Sequence, residues 1–340
     1  MKQTLENKIA ESKFRKVLSK QHFQNLRLFD EEYDKKEMQN IIKERIHKSV
    51  NDFNLLKKKS VLLSPFLEIG AGYCQSSLVL TNRYSSKGFA LDIAIDPLKM
   101  LNKVSIKYKM YKKPSLVVGD AENLPFSKNS FPFIFTYQTV HHFPTPNLVF
   151  KEIYRVLTPG GTFLMAEEPI KQTLNFNIWR RPTKLRLWEK ILKVCLILPF
   201  VSKIGRTEVN CGIIEGDFKI SEWTRALEKF DSGEIEISPY PYGPKSWLLW
   251  HDGVWKKSKL TNLTSFIIYF TGGGITALVK KKGELKNYNL PLVACPKCKL
   301  VLINSSKNTY KCRACEETYS KEGNIGVLLS GKLKDLLYPQ

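Results

Sequence analysis

The sequence predicts an α/β fold, in which a doubly wound, mostly parallel sheet of seven strands carries helices on both faces. Between residues 64 and 168, short apolar runs alternate with helical patterns, which is typical of parallel strands joined by right-handed crossovers. Three of the predicted strands also end in an acid: Glu68, Asp92 and Asp120. Because the carboxyl ends of parallel strands meet at one sheet edge, these acids predict a ligand pocket at that edge.

The predicted elements follow from the apolar periodicity and from the turn residues. Strands are predicted near residues 64–69, 88–92, 115–119, 132–137 and 162–167. Helices are predicted near residues 74–83, 97–107 and 146–157, the last of them ended by Pro159-Gly160-Gly161. Two further strands, at 266–270 and 275–280, are expected to complete the sheet around Gly272-Gly273-Gly274.

The first predicted strand ends in a glycine turn, Glu68-Ile69-Gly70-Ala71-Gly72. Glycine lets the backbone approach a bound nucleoside closely. Asp92, at the end of the next strand, is suited to accept hydrogen bonds from ribose hydroxyls. A dinucleotide fingerprint would need glycine at position 75, where Gln75 stands. The pattern therefore disfavours NAD and FAD and favours another adenosine-containing ligand.

Several segments between residues 60 and 170 carry a family resemblance. They are LEIGAGY at 67–73, ALDI at 90–93, GDAENLPFSKNSF at 119–131, TVHHF at 139–143 and EIYRVLTPGGTFLMAEEP at 152–169. On these segments the chain resembles the class I S-adenosylmethionine-dependent methyltransferases, in particular the branch of quinone-biosynthesis and other small-molecule enzymes. The resemblance implies a Rossmann-like methyltransferase fold over residues 61–284 and S-adenosyl-L-methionine as the cofactor.

The resemblance also implies roles for individual residues. Glu68 would hold the methionine ammonium, Asp92 would bind the ribose, and Gln138 would lie beside the methionine. Asp96 is an alternative ribose ligand if the second strand runs to Ile95. The residues implied to bind the cofactor are Glu68, Gly70, Ala71, Gly72, Asp92, Asp120, Ala121 and Gln138.

Two positions depart from the family pattern. Cys74 stands where relatives often carry glycine or another small residue, and it is expected to serve packing rather than chemistry. Pro132 stands where many relatives have an acid just before the fourth strand, and it cannot supply that carboxylate.

The composition bears on partners and location. The 340 residues include 54 Lys and Arg against 32 Asp and Glu, a formal charge of +22. Such a charge suits nucleic acid or an anionic membrane, but most of these residues are lysine, which recognises phosphate less specifically than arginine. The charged N-terminal residues give no sign of a secretory signal, and the cysteine usage fits a reducing compartment. A cytoplasmic location is expected.

Two segments flank or interrupt the predicted core. Residues 1–60 are predicted to be helical, as a lid over the cofactor or as a solvated arm. Residues 170–260 hold all six tryptophans and are predicted to form a helical insertion, either a substrate cap or an ordinary subdomain core. Residues 180–205 within it are basic and apolar, so they predict either a core helix with a basic outer face or a segment that touches a membrane.

Near the C-terminus, the chain carries two CxxC motifs, Cys295-Pro296-Lys297-Cys298 and Cys312-Arg313-Ala314-Cys315. Paired CxxC motifs at this distance predict a tetrahedral, structural zinc site. The stretch resembles the small zinc-ribbon family whose members are activator subunits of RNA and protein methyltransferases. A zinc ribbon is therefore expected at residues 288–332.

The leading functional hypothesis is transfer of a methyl group to a small or lipid-like organic acceptor. His142 and His141 follow the fourth strand, and either could act as a base. One alternative is an RNA- or protein-directed methyltransferase, favoured by the charge and the ribbon. Another is a noncatalytic relative that only binds the cofactor.

Overall fold

The fold is a three-layer α/β/α arrangement in which one large mixed sheet lies between two layers of helices. In the computed structural model, the described residues are 2–21, 26–28, 31–33, 35–171, 187–195, 197, 212–213, 218–239, 244–251, 253–257, 261–285 and 292–338.

The helices and strands follow in chain order. The helices are α1 Lys2–Gln21, α2 Lys35–Lys58, α3 Gln75–Arg83, α4 Ile95–Lys99, α5 Leu101–Lys107, α6 Pro146–Val156, α7 Leu187–Val194, α8 Ile220–Leu227, α9 Thr261–Thr271 and α10 Gly331–Leu337. The strands are β1 Leu26–Leu28, β2 Glu31–Tyr33, β3 Phe66–Ile69, β4 Gly88–Asp92, β5 Ser115–Gly119, β6 Phe131–Tyr137, β7 Leu157–Ile170, β8 Ser232–Pro239, β9 Ser246–His251, β10 Val254–Lys257, β11 Gly273–Lys280, β12 Ile303–Ser306, β13 Thr309–Lys311, β14 Thr318–Glu322 and β15 Ile325–Leu328.

The large sheet has the strand order β10-β9-β8-β11-β7-β6-β3-β4-β5-β15-β14-β13-β12. Strands β3 to β7 pair in parallel, as predicted. The antiparallel strand β11 lies between β7 and β8. The prediction of seven strands was wrong, because β9 and β10 extend the sheet at one edge and β12 to β15 extend it at the other.

Of the two strands predicted to close the sheet, one was confirmed and the other was wrong. Residues 275–280 belong to β11, but 266–270 lie in helix α9. Among the side chains of α9 that the structure describes, Thr264 and Ile268 are buried, and their spacing of four residues is helical rather than alternating. Gly272 then ends the helix in the left-handed region, with its N–H donated to the Ile268 carbonyl over 2.8 Å.

The predicted helical insertion is also partly wrong, because strands β8 to β10 lie in its second half. Strand β8 shows the alternation of a strand with one buried face: Ile235 and Ile237 are buried, whereas Glu234 and Glu236 are half-buried. Trp223 and Trp250 are buried in the core. Trp179 and the side chain of Trp188 fall outside the described residues.

Alternate residues of the central strands supply the two faces of the core. On β3, Phe66 belongs to the cluster under α2, α3 and α5. Leu67 and Ile69, on the other face of the same strand, belong to the opposite cluster, under α6 and α8. The central strands are therefore buried on both faces, as parallel sheets usually are.

The C-terminal segment continues this core. Strand β15 pairs in parallel with β5, with Val327 opposite Val118. Leu328 and Tyr319 lie in the same apolar cluster as Leu91 and Val117 of the central strands. This pairing covers the edge of β5, which would otherwise present unpaired backbone groups.

This packing predicts that the C-terminal strand contributes to the stability of the whole sheet. Leu328 is 1% exposed, so Leu328→Ala should lower the free energy of unfolding by roughly 2–5 kcal/mol. Leu336→Ala is the control, because Leu336 is 54% exposed and its loss should cost less than about 0.5 kcal/mol. Urea denaturation measures both. Equal, small losses would contradict a shared core.

Candidate functional site

A cavity of about 580 Å³ lies at the carboxyl ends of β3 to β6, under α1 and α2. Its volume is in the range of cofactor pockets. The structure brings to it the eight residues predicted to bind the cofactor, together with both predicted histidines. These residues are Glu68, Gly70, Ala71, Gly72, Asp92, Asp120, Ala121, Gln138, His141 and His142.

The two glycines of the turn have different surroundings. A Cβ at Gly70 would stand 2.3 Å from the Thr139 side chain, so glycine there allows two loops to pack together. A Cβ at Gly72 would meet no protein atom within 4 Å. Since Gly72 lines the cavity, its missing side chain leaves room for a ligand to approach the backbone.

Two buried carboxyl groups border this turn. Glu68 accepts hydrogen bonds from the backbone N–H of Ser77 (3.1 Å) and from the Ser77 hydroxyl. Burial raises the pKa of Glu68 to about 8, although these bonds oppose the shift. The group therefore favours the neutral form near pH 7, and a cation bound beside it would favour ionisation.

Asp92 is held at the end of β4 by backbone donors. Its Oδ2 accepts from the N–H of Gly72 (2.8 Å) and its Oδ1 from that of Ala94 (2.9 Å). Burial raises the pKa of Asp92 above its usual value, against the effect of these bonds. Asp92 lines the cavity, whereas Asp96 lies in α4 and is not among the lining residues. The geometry thus favours Asp92 over Asp96 as the residue that would contact a molecule bound in the cavity.

Asp120 has a partner that the sequence did not reveal. Its Oδ1 accepts from the N–H of Glu122 (3.0 Å) and so caps the short 3₁₀ helix Ala121–Asn123. Its Oδ2 lies 2.7 Å from the Nζ of Lys8, which also lies 2.6 Å from Glu122. Burial alone would lower the pKa of Lys8, but these two carboxylates raise it. The N-terminal helix is thereby fastened to the end of β5.

Both N-terminal helices form walls of the cavity. Helix α1 contributes residues at helical spacing, Asn7, Lys8, Glu11, Phe14, Arg15 and Leu18, and α2 contributes Ile41, Ile42 and Arg45. Asn7 also donates to the carbonyl of His142 over 2.9 Å in a buried position. Helices α1 and α2 are thus packed against the cavity.

Arg45 joins α2 to the ends of β6 and β7. Its guanidinium lies 2.6 Å from Glu167, 3.3 Å from Gln138 Oε1 and 4.5 Å from the centre of the Tyr137 ring. Gln138 and Glu167 both have positive φ, 47° and 60°. Left-handed backbone at residues other than glycine costs energy and clusters at functional sites.

Glu168 organises the loop that carries the histidines. It is fully buried and accepts from the N–H groups of Thr139 (2.9 Å), Val140 (3.0 Å) and His141 (3.1 Å). Its Oε2 also lies 2.7 Å from Nδ1 of His141. Burial alone would raise the pKa of Glu168, but the bonds from His141 and the backbone lower it.

The contact between Glu168 and the His141 ring distinguishes the two histidines. With its Nδ1–H donated to Glu168, a neutral His141 carries its basic lone pair on Nε2, which is the tautomer of a carboxylate-oriented base. The ring of His142 lies beside it, with centroids 4.1 Å apart. Sequence reasoning did not single out Glu168, although an acid pair at the end of the fifth predicted strand repeats the pattern of Glu68 and Asp92.

The departure at Cys74 is explained by packing. Cys74 is fully buried. It directly precedes α3, and its backbone lies in the left-handed region, with φ of 58°. Burial raises the pKa of its thiol well above the usual value. It therefore stays a thiol at neutral pH, without nucleophilic character.

The four predicted zinc ligands lie together. The sulfur atoms of Cys295, Cys298, Cys312 and Cys315 are all within 4.8 Å of one another. The shorter separations are 3.3 Å (Cys298–Cys312) and 3.6 Å (Cys295–Cys315), against about 3.8 Å expected for thiolates around zinc in a tetrahedron. The two CxxC turns also match each other, because Cys295 and Cys312 each donate their N–H to the carbonyl five residues on. This donor set fits Zn²⁺.

The cysteine turns contact the core close to the cavity. Lys299, which follows the first CxxC, reaches Asn123, the Leu124 carbonyl (3.1 Å) and Glu152 (3.3 Å). After β15, Tyr338 donates its hydroxyl to the Ile93 carbonyl (2.7 Å) and accepts from the N–H of Ile95 (2.9 Å). The C-terminal segment thus supports the loops that follow Asp92 and Asp120.

The Glu168 contacts predict a specific loss of stability. Glu168→Gln removes the charge that four donors share, and it should lower the free energy of unfolding by about 2–4 kcal/mol. Because its folded pKa lies below the usual 4.5, this stabilisation is present at neutral pH and is lost as pH falls below about 4.5.

The neighbouring substitution Glu167→Gln is the matched control. Glu167 is 26% exposed and pairs with Arg45 and Lys48, so its loss should cost on the order of 1 kcal/mol. Denaturation at pH 7 and pH 4 measures both variants. A loss from Glu168→Gln that did not exceed the control would contradict the organising role of Glu168.

Comparison with known proteins agrees with this geometry. Residues 67–165 match the family described as a methyltransferase domain. The ubiquinone/menaquinone biosynthesis C-methyltransferase UbiE of Rickettsia prowazekii is 32% identical over 111 residues, 31% of this chain and 45% of that protein. A probable chloroplastic tocopherol O-methyltransferase of Oryza sativa is 22% identical over 180 residues, 51% of this chain and 47% of that protein.

The chain therefore spans about half the length of the curated relatives it matches. A solved S-adenosylmethionine-dependent methyltransferase of Methanosarcina mazei aligns with a TM-score of 0.42 and 18% identity, over 66% of this chain and 97% of that one. Residues 67–165 are thus similar in sequence to a methyltransferase domain, and they include the strand-end residues that line the cavity.

Proposed function

We propose that this protein is an S-adenosylmethionine-dependent methyltransferase that acts on a small, lipid-like organic acceptor. The observation that carries the proposal is the single cavity bordered by buried Glu68, Asp92 and the open backbone at Gly72. Support for the acceptor class comes from the relatives, whose names refer to ubiquinone, menaquinone and tocopherol.

The residues present fit such a cofactor. Two buried acids whose pKa values are raised by burial suit a ligand that carries an ammonium and a sulfonium charge. In the proposed arrangement Glu68 accepts from the ammonium, Asp92 from the ribose hydroxyls, and Gln138 lies beside the methionine part. Ala121 and Asp120 border the adenine, and Lys8 holds Asp120 in place.

The cofactor supplies an activated methyl group, so the protein needs little covalent chemistry. The chain contributes alignment of the acceptor and exclusion of water, for which α1 and α2 cover the cavity. An acceptor O–H or acidic C–H must also lose a proton. We assign that step to Nε2 of His141, because Glu168 orients its ring, with His142 as the neighbouring alternative.

The proposed activity is tested by incubating the protein and isotope-labelled S-adenosylmethionine with separated lipid, RNA and protein fractions of a cell extract. Mass spectrometry should find the label in a compound of the lipid fraction, and Glu68→Gln should lower it strongly. Label in RNA or protein alone would favour the macromolecular alternative instead. Absence of label in all fractions would contradict the proposal.

The ribose assignment predicts an asymmetry between two nearby acids. Asp92→Asn should weaken S-adenosylhomocysteine binding by roughly 1–3 kcal/mol, or about 5- to 150-fold, because it removes charge-assisted hydrogen bonds. Asp96→Asn is the matched control and should bind normally, because Asp96 does not line the cavity. Calorimetry measures both. Normal binding by Asp92→Asn would contradict the assignment.

We also infer that the four cysteines hold a structural zinc ion. The four thiolates complete a tetrahedral shell and leave no position for water, so the ion would stabilise rather than react. Binding energy of this kind is available for folding the surrounding segment. Since β15 pairs with β5, that stabilisation would extend to the edge of the cofactor sheet.

Metal removal should therefore affect two regions. A chelator should release one zinc ion per chain and raise amide hydrogen exchange in residues 295–328 and also in β5. Cys312→Ser should do the same without a chelator, whereas the exposed Cys195→Ser should change neither zinc content nor exchange. Hydrogen-exchange mass spectrometry measures both. A chain that holds no zinc, or unchanged exchange in β5 after zinc is lost, would contradict the inference.

A further inference from the structure

Helix α7 presents an apolar stripe to solvent. Leu187, Ile191 and Val194 are spaced by four and three residues and so lie on one helical face. Their exposed fractions are 76%, 56% and 83%. Among the large apolar residues of the described ranges, Val194 and Leu187 are the two most exposed. Ile197 and Cys195, just beyond the helix, are exposed as well.

These exposures disfavour one of the two alternatives that the sequence leaves open. Residues 180–205 were expected to form either a core helix with a basic outer face or a segment that touches a membrane. A core helix would bury the stripe of Leu187, Ile191 and Val194. Instead, the described part of this segment leaves the stripe in water, where each side chain forgoes the free energy of burial.

The segment of the sequence that contains α7 is strongly basic. Residues 171–206 contain nine basic residues, Lys171, Arg180, Arg181, Lys184, Arg186, Lys190, Lys193, Lys203 and Arg206, and the single acid Glu189. Lys190, within the helix, is exposed. An apolar stripe set in a basic segment complements a surface that is apolar inside and anionic outside.

We propose that α7 docks on an anionic phospholipid bilayer, with Leu187, Ile191 and Val194 inserted below the headgroups and Lys190 among the phosphates. The helix would lie in the plane of the interface. No helix in the described part of the chain is long and apolar enough to cross a bilayer.

The position of α7 in the chain relates this surface to the cavity. The segment that holds α7 leaves the sheet at the end of β7, where Glu167 and Pro169 line the cavity. It returns at α8, where the indole N–H of Trp223 donates to the Pro169 carbonyl over 3.1 Å. A docked α7 would thus be tethered at both ends to the wall of the site. The docking itself does not depend on the proposed activity.

The test is co-sedimentation of the full chain with vesicles. Wild-type protein should bind vesicles of phosphatidylcholine with one quarter phosphatidylglycerol at least tenfold more tightly than vesicles of phosphatidylcholine alone. The triple variant Leu187→Ser, Ile191→Ser, Val194→Ser should lose at least tenfold in affinity for the anionic vesicles. Lys190→Ala should lose about fivefold, the effect of one basic residue near such a surface.

The matched control substitutes three apolar residues that are exposed elsewhere: Ile106→Ser, Leu263→Ser and Leu336→Ser. It should bind as the wild type does. Amide exchange in residues 187–197 should slow when vesicles are added, and both triple variants should keep the melting temperature of the wild type.

Three results would overturn the proposal: equal binding of neutral and anionic vesicles, equal loss in the two triple variants, or no binding at all. Sedimentation velocity adds a fourth. If the wild type self-associates without lipid and the α7 variant does not, the stripe is an interface between copies of this chain.

Discussion

Burial of carboxyl groups at one edge of a parallel sheet is the constraint on which the site depends. Glu68 and Asp92 end neighbouring strands and are almost fully removed from water. Burial of an acid is costly unless donors or cations compensate it. Lys8 meets that need at Asp120, whereas backbone N–H groups meet it only in part at Asp92, whose pKa is also raised. At Glu68 the compensation is incomplete, so its pKa rises and the edge favours a cationic ligand.

The rest of the molecule holds that edge in place. Helices α1 and α2 cover it through Lys8 and Arg45, and Glu168 fixes the histidine loop from beneath. On the far side, β15 and Tyr338 support the loops that follow Asp120 and Asp92. An ion bound by the four cysteines would therefore influence the site only through this packing. It would not contact the residues that line the cavity.

The central fold could be predicted because its signals are local. Strands β3 to β7 are short apolar runs bounded by turn residues, and their terminal acids identify the edge where the cavity lies. What escaped prediction depends on tertiary contacts. Lys8 is one lysine among many until α1 is packed against β5, and helix α9 contains β-branched and aromatic residues that suit a strand equally well. The partner of β15 is more than 200 residues away in the chain.

The central claim is that buried Glu68 meets the ammonium of a nucleoside ligand. Calorimetry of S-adenosylhomocysteine binding at pH 7, in buffers of different ionisation enthalpy, measures the proton exchanged. Because Glu68 in the free protein has a pKa of about 8, binding should release a proton from the wild type but not from Glu68→Gln. Absence of binding, or equal proton release by the two proteins, would contradict the account.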